Sequence, residues 1–224
     1  MALFRVHYLC RIFGVRILVT AFKPYDRWQD NSSWLALRGW LRNYDAVDEL
    51  VTRLYPVELD GLQERLHQDL QCQPDAVLHL GQAPGSPQVA VETIAVNAAG
   101  LMREAGQALR PLVATGPVAY RTQCDVARMV DEIRRSGAPA VVSYHAGTFL
   151  CNALYYLSHH LMAHRAPPMP IAFVHLPLAT EQVLACEEPG LASLPTDTLA
   201  GAIGAAVRVL RESSTATASS HALS

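Results

Sequence analysis

Ala140-Val141-Val142-Ser143-Tyr144-His145-Ala146-Gly147-Thr148-Phe149-Leu150-Cys151-Asn152 carries a short β-branched run into a Gly-containing turn and then into the start of a helical pattern. Strand, turn and helix in that order form the half-unit of an α/β protein, and ligands of such proteins gather at the carboxyl ends of strands. Cys151 stands where the helix opens. Unpaired N–H groups and the positive end of the helix dipole favour thiolate over thiol there, so the position suits a nucleophile. A second apolar run, Ile171-Ala172-Phe173-Val174, leads into His175-Leu176-Pro177. If the two runs are neighbouring strands, His175 reaches Cys151.

Outward from this unit, strands and helices alternate. Val15 to Thr20 reads as a buried strand followed by the loop Ala21-Phe22-Lys23-Pro24-Tyr25-Asp26-Arg27. A helix from Ser33 to about Leu41, capped by Ser32 or Ser33, precedes a strand within Glu49 to Val57. Asp60 is expected to cap a helix over Gly61 to Leu70, with Leu62, Leu66 and Leu70 on one face. Ala76 to Leu80 forms a third strand ending at Gly81-Gln82-Ala83-Pro84-Gly85, and Gln88 to Asn97 is strongly β-forming. Ala98 to Tyr120 looks like a long surface excursion. Asp125 caps a helix through Arg135, Gly137 ends it, and the strand Ala138 to Ser143 follows. The Cys151 helix should run to about Arg165, and a last amphipathic helix should open at Pro195 or Thr196 and close near Leu210. The pattern implies an α/β fold, a three-layer α/β/α sandwich around a mixed, mostly parallel sheet. We expect residues 1–14 to be an N-terminal extension, 15–210 one domain and the small, polar 211–224 a disordered tail.

With 224 residues, half of them hydrophobic, the chain can bury a full core. A net charge of −2 with 17% charged residues provides no basic field for nucleic acid or an anionic membrane, so the expected partner is a small molecule or peptide. Five scattered cysteines, without CxxC or Cys/His ligand spacing, imply a reducing cytoplasm and no structural metal. Gly81 to Gly85 is not a nucleotide fingerprint, and no cofactor is implied.

Cys151 is one cysteine of five, and most free cysteines are inert core residues. His175 is one histidine of nine, and a strand histidine is more often structural than a base. Glu92, in the β-rich stretch, reads equally as a solvent-facing edge residue. Together they offer a thiolate, an imidazole to protonate a leaving amine and a carboxylate to orient the imidazole. His160 and His164 have i,i+4 metal spacing without a third ligand, and a helix C-terminus favours histidine electrostatically. The apolar positions from Leu154 to Met162 suit a core or a subunit contact.

Ala21-Phe22-Lys23-Pro24-Tyr25, Leu80 to Gly85 followed by Glu92-Thr93-Ile94-Ala95-Val96-Asn97, Ala146 to Asn152, and Phe173 to Pro177 with Glu181-Gln182-Val183 resemble the pyroglutamyl peptidase I family, also called pyrrolidone carboxyl peptidases. Gly116 to Tyr120 and Gly137 to Ala140 look like further family segments, and the resemblance runs in order from about Val15 to Leu210. It implies an α/β/α cysteine exopeptidase of the cytoplasm, homodimeric or homotetrameric, with a triad falling on Glu92, Cys151 and His175. It also implies an apolar substrate pocket walled by Phe22, Tyr25, Phe149 and Leu150, with Gln82 near the polar edge of a flat lactam. The expected reaction removes an N-terminal pyroglutamyl or related cyclic acyl group through a thioester.

Departures from the family pattern cluster at the substrate mouth. Ala21 replaces the first Gly of the first loop, Lys23 an acidic residue, Tyr25 a Phe, and Asp26-Arg27 a Gly pair. Thr93 stands where an Arg commonly follows the Glu, Met102 occupies a further Arg position with Arg103 one place late, and His145 replaces a small polar residue. These changes keep two other readings open: a tailoring amidase or amide-forming enzyme with an altered substrate, for which Lys23 or Arg27 would pair with a carboxylate, and a non-catalytic binding protein on the same fold.

Overall fold

The computed structural model describes residues 14–45, 48–100, 109–186 and 190–221, with side chains through 215. Most of the expected extension, Met102 and Arg103 lie outside the described residues. In chain order the elements are β1 (Arg16–Phe22), α1 (Ser32–Leu41), β2 (Glu49–Tyr55), α2 (Leu62–Leu70), β3 (Ala76–Gln82), β4 (Val89–Glu92), β5 (Ile94–Val96), β6 (Ala119–Arg121), α3 (Val126–Arg135), β7 (Ala140–Ser143), α4 (Leu150–Met162), β8 (Ile171–Leu176), β9 (Leu178–Ala179), α5 (Thr180–Leu184), β10 (Ser193–Leu194) and α6 (Thr196–His221).

The main sheet has the order β2-β1-β3-β8-β4-β7. Its ladders are parallel except β4 against β8, so the sheet is mixed and mostly parallel. All residues of β3 are buried, as expected of a central strand covered on both faces, where a continuous apolar run replaces alternation. One face packs against α2 and α4 through Leu18, Phe22, Leu66, Leu154 and Phe173. The other packs against α1, α3 and α6 through Leu37, Leu78, Leu80, Met129, Ile133, Ile203 and Ala206. These are the three layers expected from the alternating pattern.

Local chemistry sets the helix ends. Asn31, rather than Ser32 or Ser33, caps α1, its side chain accepting from Ser33 N at 3.1 Å. At α2 the cap position is Gly61, at φ +73° and without a side-chain cap bond, so Asp60 lies one residue too early for the role expected of it. Asp125 caps α3 by accepting from Arg128 N at 3.0 Å, and Gly137, at φ +96°, takes the left-handed turn after its end.

Two expectations about extent are corrected. The β-forming run to Asn97 is divided at Thr93: β4 belongs to the main sheet, whereas β5 pairs with β6 in a separate two-stranded ribbon. At the C-terminus α6 continues to His221 instead of closing near Leu210 ahead of a disordered tail. Ser213 and Ser214 donate from their hydroxyls to Val209 O and Leu210 O, both at 2.9 Å, and Ser214 also reaches Asp75 O at 3.2 Å. Arg128 is salt-bridged to Glu212. Small polar residues, read as disorder, are therefore helical where Ser214 and Glu212 tether the helix to neighbouring elements, while the hydroxyls satisfy themselves on the helix carbonyls.

Candidate active site

Glu92 and His175 meet across the only antiparallel ladder described in the main sheet. Ala90 is in register with His175 and Glu92 with Phe173, so Glu92 is a diagonal neighbour of His175 on the same face. Its longer side chain closes the gap, and Glu92 Oε1 accepts from His175 Nδ1 at 2.8 Å. The glutamate side chain is 3% exposed and the imidazole 12%. Glu92 is therefore not the solvent-facing edge residue that its β-rich setting also allowed. Its Oε2 is buried without a hydrogen-bond partner.

With Nδ1 taken by the Glu92 carboxylate, Nε2 is the ring nitrogen left to serve Cys151. Burial alone would push the histidine down, but the negative charge on Cys151, its hydrogen bond and the Glu92 carboxylate outweigh burial and raise His175 to about 10. His175 therefore carries the proton at neutral pH, beside the Cys151 sulfur.

Backbone space around the imidazole is as restricted as its hydrogen bonding. A Cβ on Gly81 would lie 2.8 Å from His175 Cδ2 and 2.9 Å from Phe173 Cε1 and Cζ. Glycine is required there because the strand passes directly under two rings. Phe173 in turn packs against His175 with ring centroids 4.7 Å apart.

The turn into α4 places Cys151 in the first helical turn, as the sequence implied. Gly147 takes φ +81°, and His145 Nδ1 accepts from Gly147 N at 3.0 Å, which gives the unusual His145 a part in shaping the turn. Phe149, at the cap position, makes no side-chain cap bond. The helix-start N–H groups are left for another acceptor.

Of the expected pocket residues, Phe22 and Leu150, each 2% exposed, share one apolar cluster, and Phe149 and Cys151 pack against it. Leu150 is thus chiefly a core residue beneath the site. Tyr25 is half-buried on the mouth loop. Gln82 departs from expectation. Gly81 faces His175, so alternation turns Gln82 to the other side of the sheet, where its Oε1 accepts from Ser32 N at 2.7 Å and from Gln182 Nε2 at 2.8 Å. Gln182 also donates to Asp30 O at 2.9 Å. The two glutamines brace the loop that leads into α1.

The altered sequence of that loop takes up one glycine-like conformation. Asp26 adopts φ +53°, the left-handed region that a glycine would occupy freely and that aspartate tolerates better than most residues. Arg27 stacks over Trp28 at 4.8 Å from the ring centroid. Sequence reading gave no role to Asn152, Thr148 or Gln182 and read Tyr155 as core or subunit contact; a polar residue beside Cys151 in an otherwise apolar helix start was the available signal for the first.

The sequence profile of the pyroglutamyl peptidase family matches residues 15–213. The chain belongs to this family. Pyrrolidone-carboxylate peptidase 1 of Ralstonia nicotianae is 34% identical over 200 residues, covering 85% of this chain and 90% of the relative. The pyrrolidone-carboxylate peptidase of Bacillus subtilis is 32% identical over 194 residues, covering 84% and 88%. Among solved structures, pyroglutamyl peptidase I of Bacillus amyloliquefaciens superposes with a TM-score of 0.79 at 29% identity, covering 88% of this chain and 95% of that one. As a member of the pyroglutamyl peptidase family, this chain is a cysteine peptidase.

Proposed function

We propose that this enzyme removes an N-terminal pyroglutamyl group from peptides, with Cys151 as nucleophile, His175 as acid and base, and Glu92 as the group that orients and charges His175. The observation that carries the reading is the buried 2.8 Å bond from His175 to Glu92, on an imidazole whose protonation Cys151 favours.

The Cys151 thiolate attacks the carbonyl carbon attached to the lactam ring. A C–S bond forms, and the carbonyl electron pair moves onto oxygen. Helix-start N–H groups, beginning with that of Cys151, stabilise this oxyanion. His175 then gives its proton to the amine nitrogen as the C–N bond breaks, leaving a thioester. Water attacks the thioester while His175 takes its proton, and pyroglutamate leaves as the thiolate returns. A neutral lactam offers no charge to recognise, so contact with Phe22, Tyr25 and Phe149 supplies specificity.

Release of aminocoumarin from pyroglutamyl-aminocoumarin tests the reading. Turnover is expected in the wild type and abolished in Cys151→Ala. No turnover in the wild type, together with iodoacetamide alkylation of Cys151 no faster than that of Cys186, would overturn it.

The cytoplasm is the proposed compartment, consistent with free thiols at Cys72, Cys124, Cys151 and Cys186. No helix among the described residues is long and apolar enough to cross a membrane. We also propose a homodimer or homotetramer, to be checked by light scattering. The apolar face of α4 is not its contact: Leu154, Tyr155, Tyr156 and Leu157 are buried within the chain's own core.

A further inference from the structure

We propose that Asn152 is a positioning residue for the nucleophile, fixing the start of α4 against the segment that follows Glu92. The proposal rests on the reading of Cys151 as nucleophile.

Asn152 is wholly buried and adjoins Cys151 in the first turn of a helix that no side chain caps at Phe149. Its amide behaves as an extra strand partner for β5. Oδ1 accepts from Val96 N at 2.8 Å, and Nδ2 donates to Val96 O and Ala98 O, both at 2.9 Å. One acceptor and two donors on a short stem are what this backbone edge requires. Aspartate lacks the donors, and glutamine is one methylene too long.

Neighbouring bonds extend the same stitch. Thr148 Oγ1 donates to Gly100 O at 3.1 Å, and Gly100 N donates to Thr148 O at 3.0 Å. One turn into α4, the buried Tyr155 hydroxyl donates to the carbonyl of Glu92 itself at 3.1 Å. The helix bearing the thiolate is therefore registered to the same chain segment that bears the carboxylate. His175 is held between them from the neighbouring strand. Because Asn152 is the member of this set next to Cys151, its loss should displace the Cys151 sulfur and N–H while leaving the pocket walls in place.

Asn152→Ala and Asn152→Asp test this by steady-state kinetics, by the pH dependence of Cys151 alkylation and by thermal melting. Leu66→Ala, a core truncation on α2, serves as the destabilised control. We expect kcat for Asn152→Ala to fall about 100-fold, the order produced by a misplacement of about 1 Å, with KM changed less than about threefold. The alkylation midpoint should move to higher pH as the thiolate–imidazolium pair loosens. In Asn152→Asp the ionised carboxylate faces two carbonyl oxygens, so its kcat relative to wild type should rise on acidification as the protonated acid regains a donor. This variant carries the test if the alanine variant fails to fold. Melting that falls as in Leu66→Ala, with kcat and the alkylation midpoint unchanged, would overturn the proposal, as would a loss confined to KM. A shifted alkylation midpoint in a protein whose wild type does not cleave pyroglutamyl-aminocoumarin would uphold the positioning role and reject the substrate.

Discussion

His79 on β3 and His175 on β8 stand on one face of neighbouring strands, with Gly81, two residues past His79, in register with His175. Their partners leave one neutral and the other charged. His79 is completely buried between two hydroxyls, Thr20 Oγ1 at 2.8 Å and Ser158 Oγ at 2.7 Å. Burial, helped by repulsion from His159, pushes it down to about 3. Burial also opposes charge on His175, yet Cys151 and the Glu92 carboxylate bring it up to about 10. A hydroxyl can donate or accept and so satisfies a neutral imidazole, whereas two anions stabilise the imidazolium. Burial prepares both sites, and partner charge decides which one holds a proton at neutral pH.

Removing the charge from one partner should break the contrast most severely. In Glu92→Gln the His175 ring loses its anion but keeps a side chain of similar shape, and kcat is expected to fall by roughly 10³- to 10⁴-fold, as for other triads deprived of their carboxylate. Alkylation of Cys151 should then require higher pH. A kcat equal to wild type would remove Glu92 from the mechanism. The reciprocal change at the other histidine should affect stability instead. His79→Ala leaves a cavity and strands the Thr20 and Ser158 hydroxyls, costing roughly 3 kcal/mol in urea denaturation. Because His79 touches neither Cys151 nor Glu92, kcat per folded molecule should be retained.

Sequence patterns carried much of the architecture because they report burial. The apolar run through β3, the Leu62, Leu66 and Leu70 face and the turn before Cys151 all have local causes. His79 and His175 show where local reading ends. Each lies in an apolar strand run, and only tertiary structure supplies hydroxyls to one and anions to the other. Gln82 shows a second limit: its place at a strand end is legible, but the face it turns to depends on the register that puts Gly81 under His175. Asn152 was visible as a polar residue next to the nucleophile, while its partners lie more than fifty residues earlier in the chain. The terminal helix was cut short because serine-rich composition does not reveal the tethers of Ser214 to Asp75 O and of Glu212 to Arg128.

Titration distinguishes the two histidines with opposite sign. His79, at about 3, and His159, lowered to about 4 by burial, both lie below the ordinary value of 6.5 that the unfolded chain retains. The unfolded state then binds protons that the folded state refuses. Their contribution to stability is present above pH 6.5 and declines on acidification, by about 1.4 kcal/mol per pH unit for each histidine down to its folded value. His175 does the reverse: its contribution is full below the unfolded value and is lost as pH rises through about 10. Urea midpoints measured from acid to alkali should pass through a maximum near the unfolded value of 6.5, and His79→Ala should flatten the acid limb alone. An unchanged acid limb in that variant would sever the link between His79 burial and acid lability.

The smallest expected effect comes from the sheet face that neither histidine occupies. Gln182 joins Asp30 O to Gln82 Oε1, at 2.9 and 2.8 Å, beneath the mouth loop. Gln182→Ala removes both donors, leaving Gln82 held by Ser32 N and the carbonyl of Asp30 without this bond. About 1 kcal/mol of this loss, that of one hydrogen bond, should reach the substrate loop, so KM for pyroglutamyl-aminocoumarin should rise about fivefold. The alkylation profile of Cys151 and the alkaline limb set by His175 should remain where they are, because the perturbation lies behind the sheet. A fall in kcat with KM unchanged would show instead that α5 acts through β9 on the end of β8, and would make Gln182 part of the support for His175 rather than of the substrate loop.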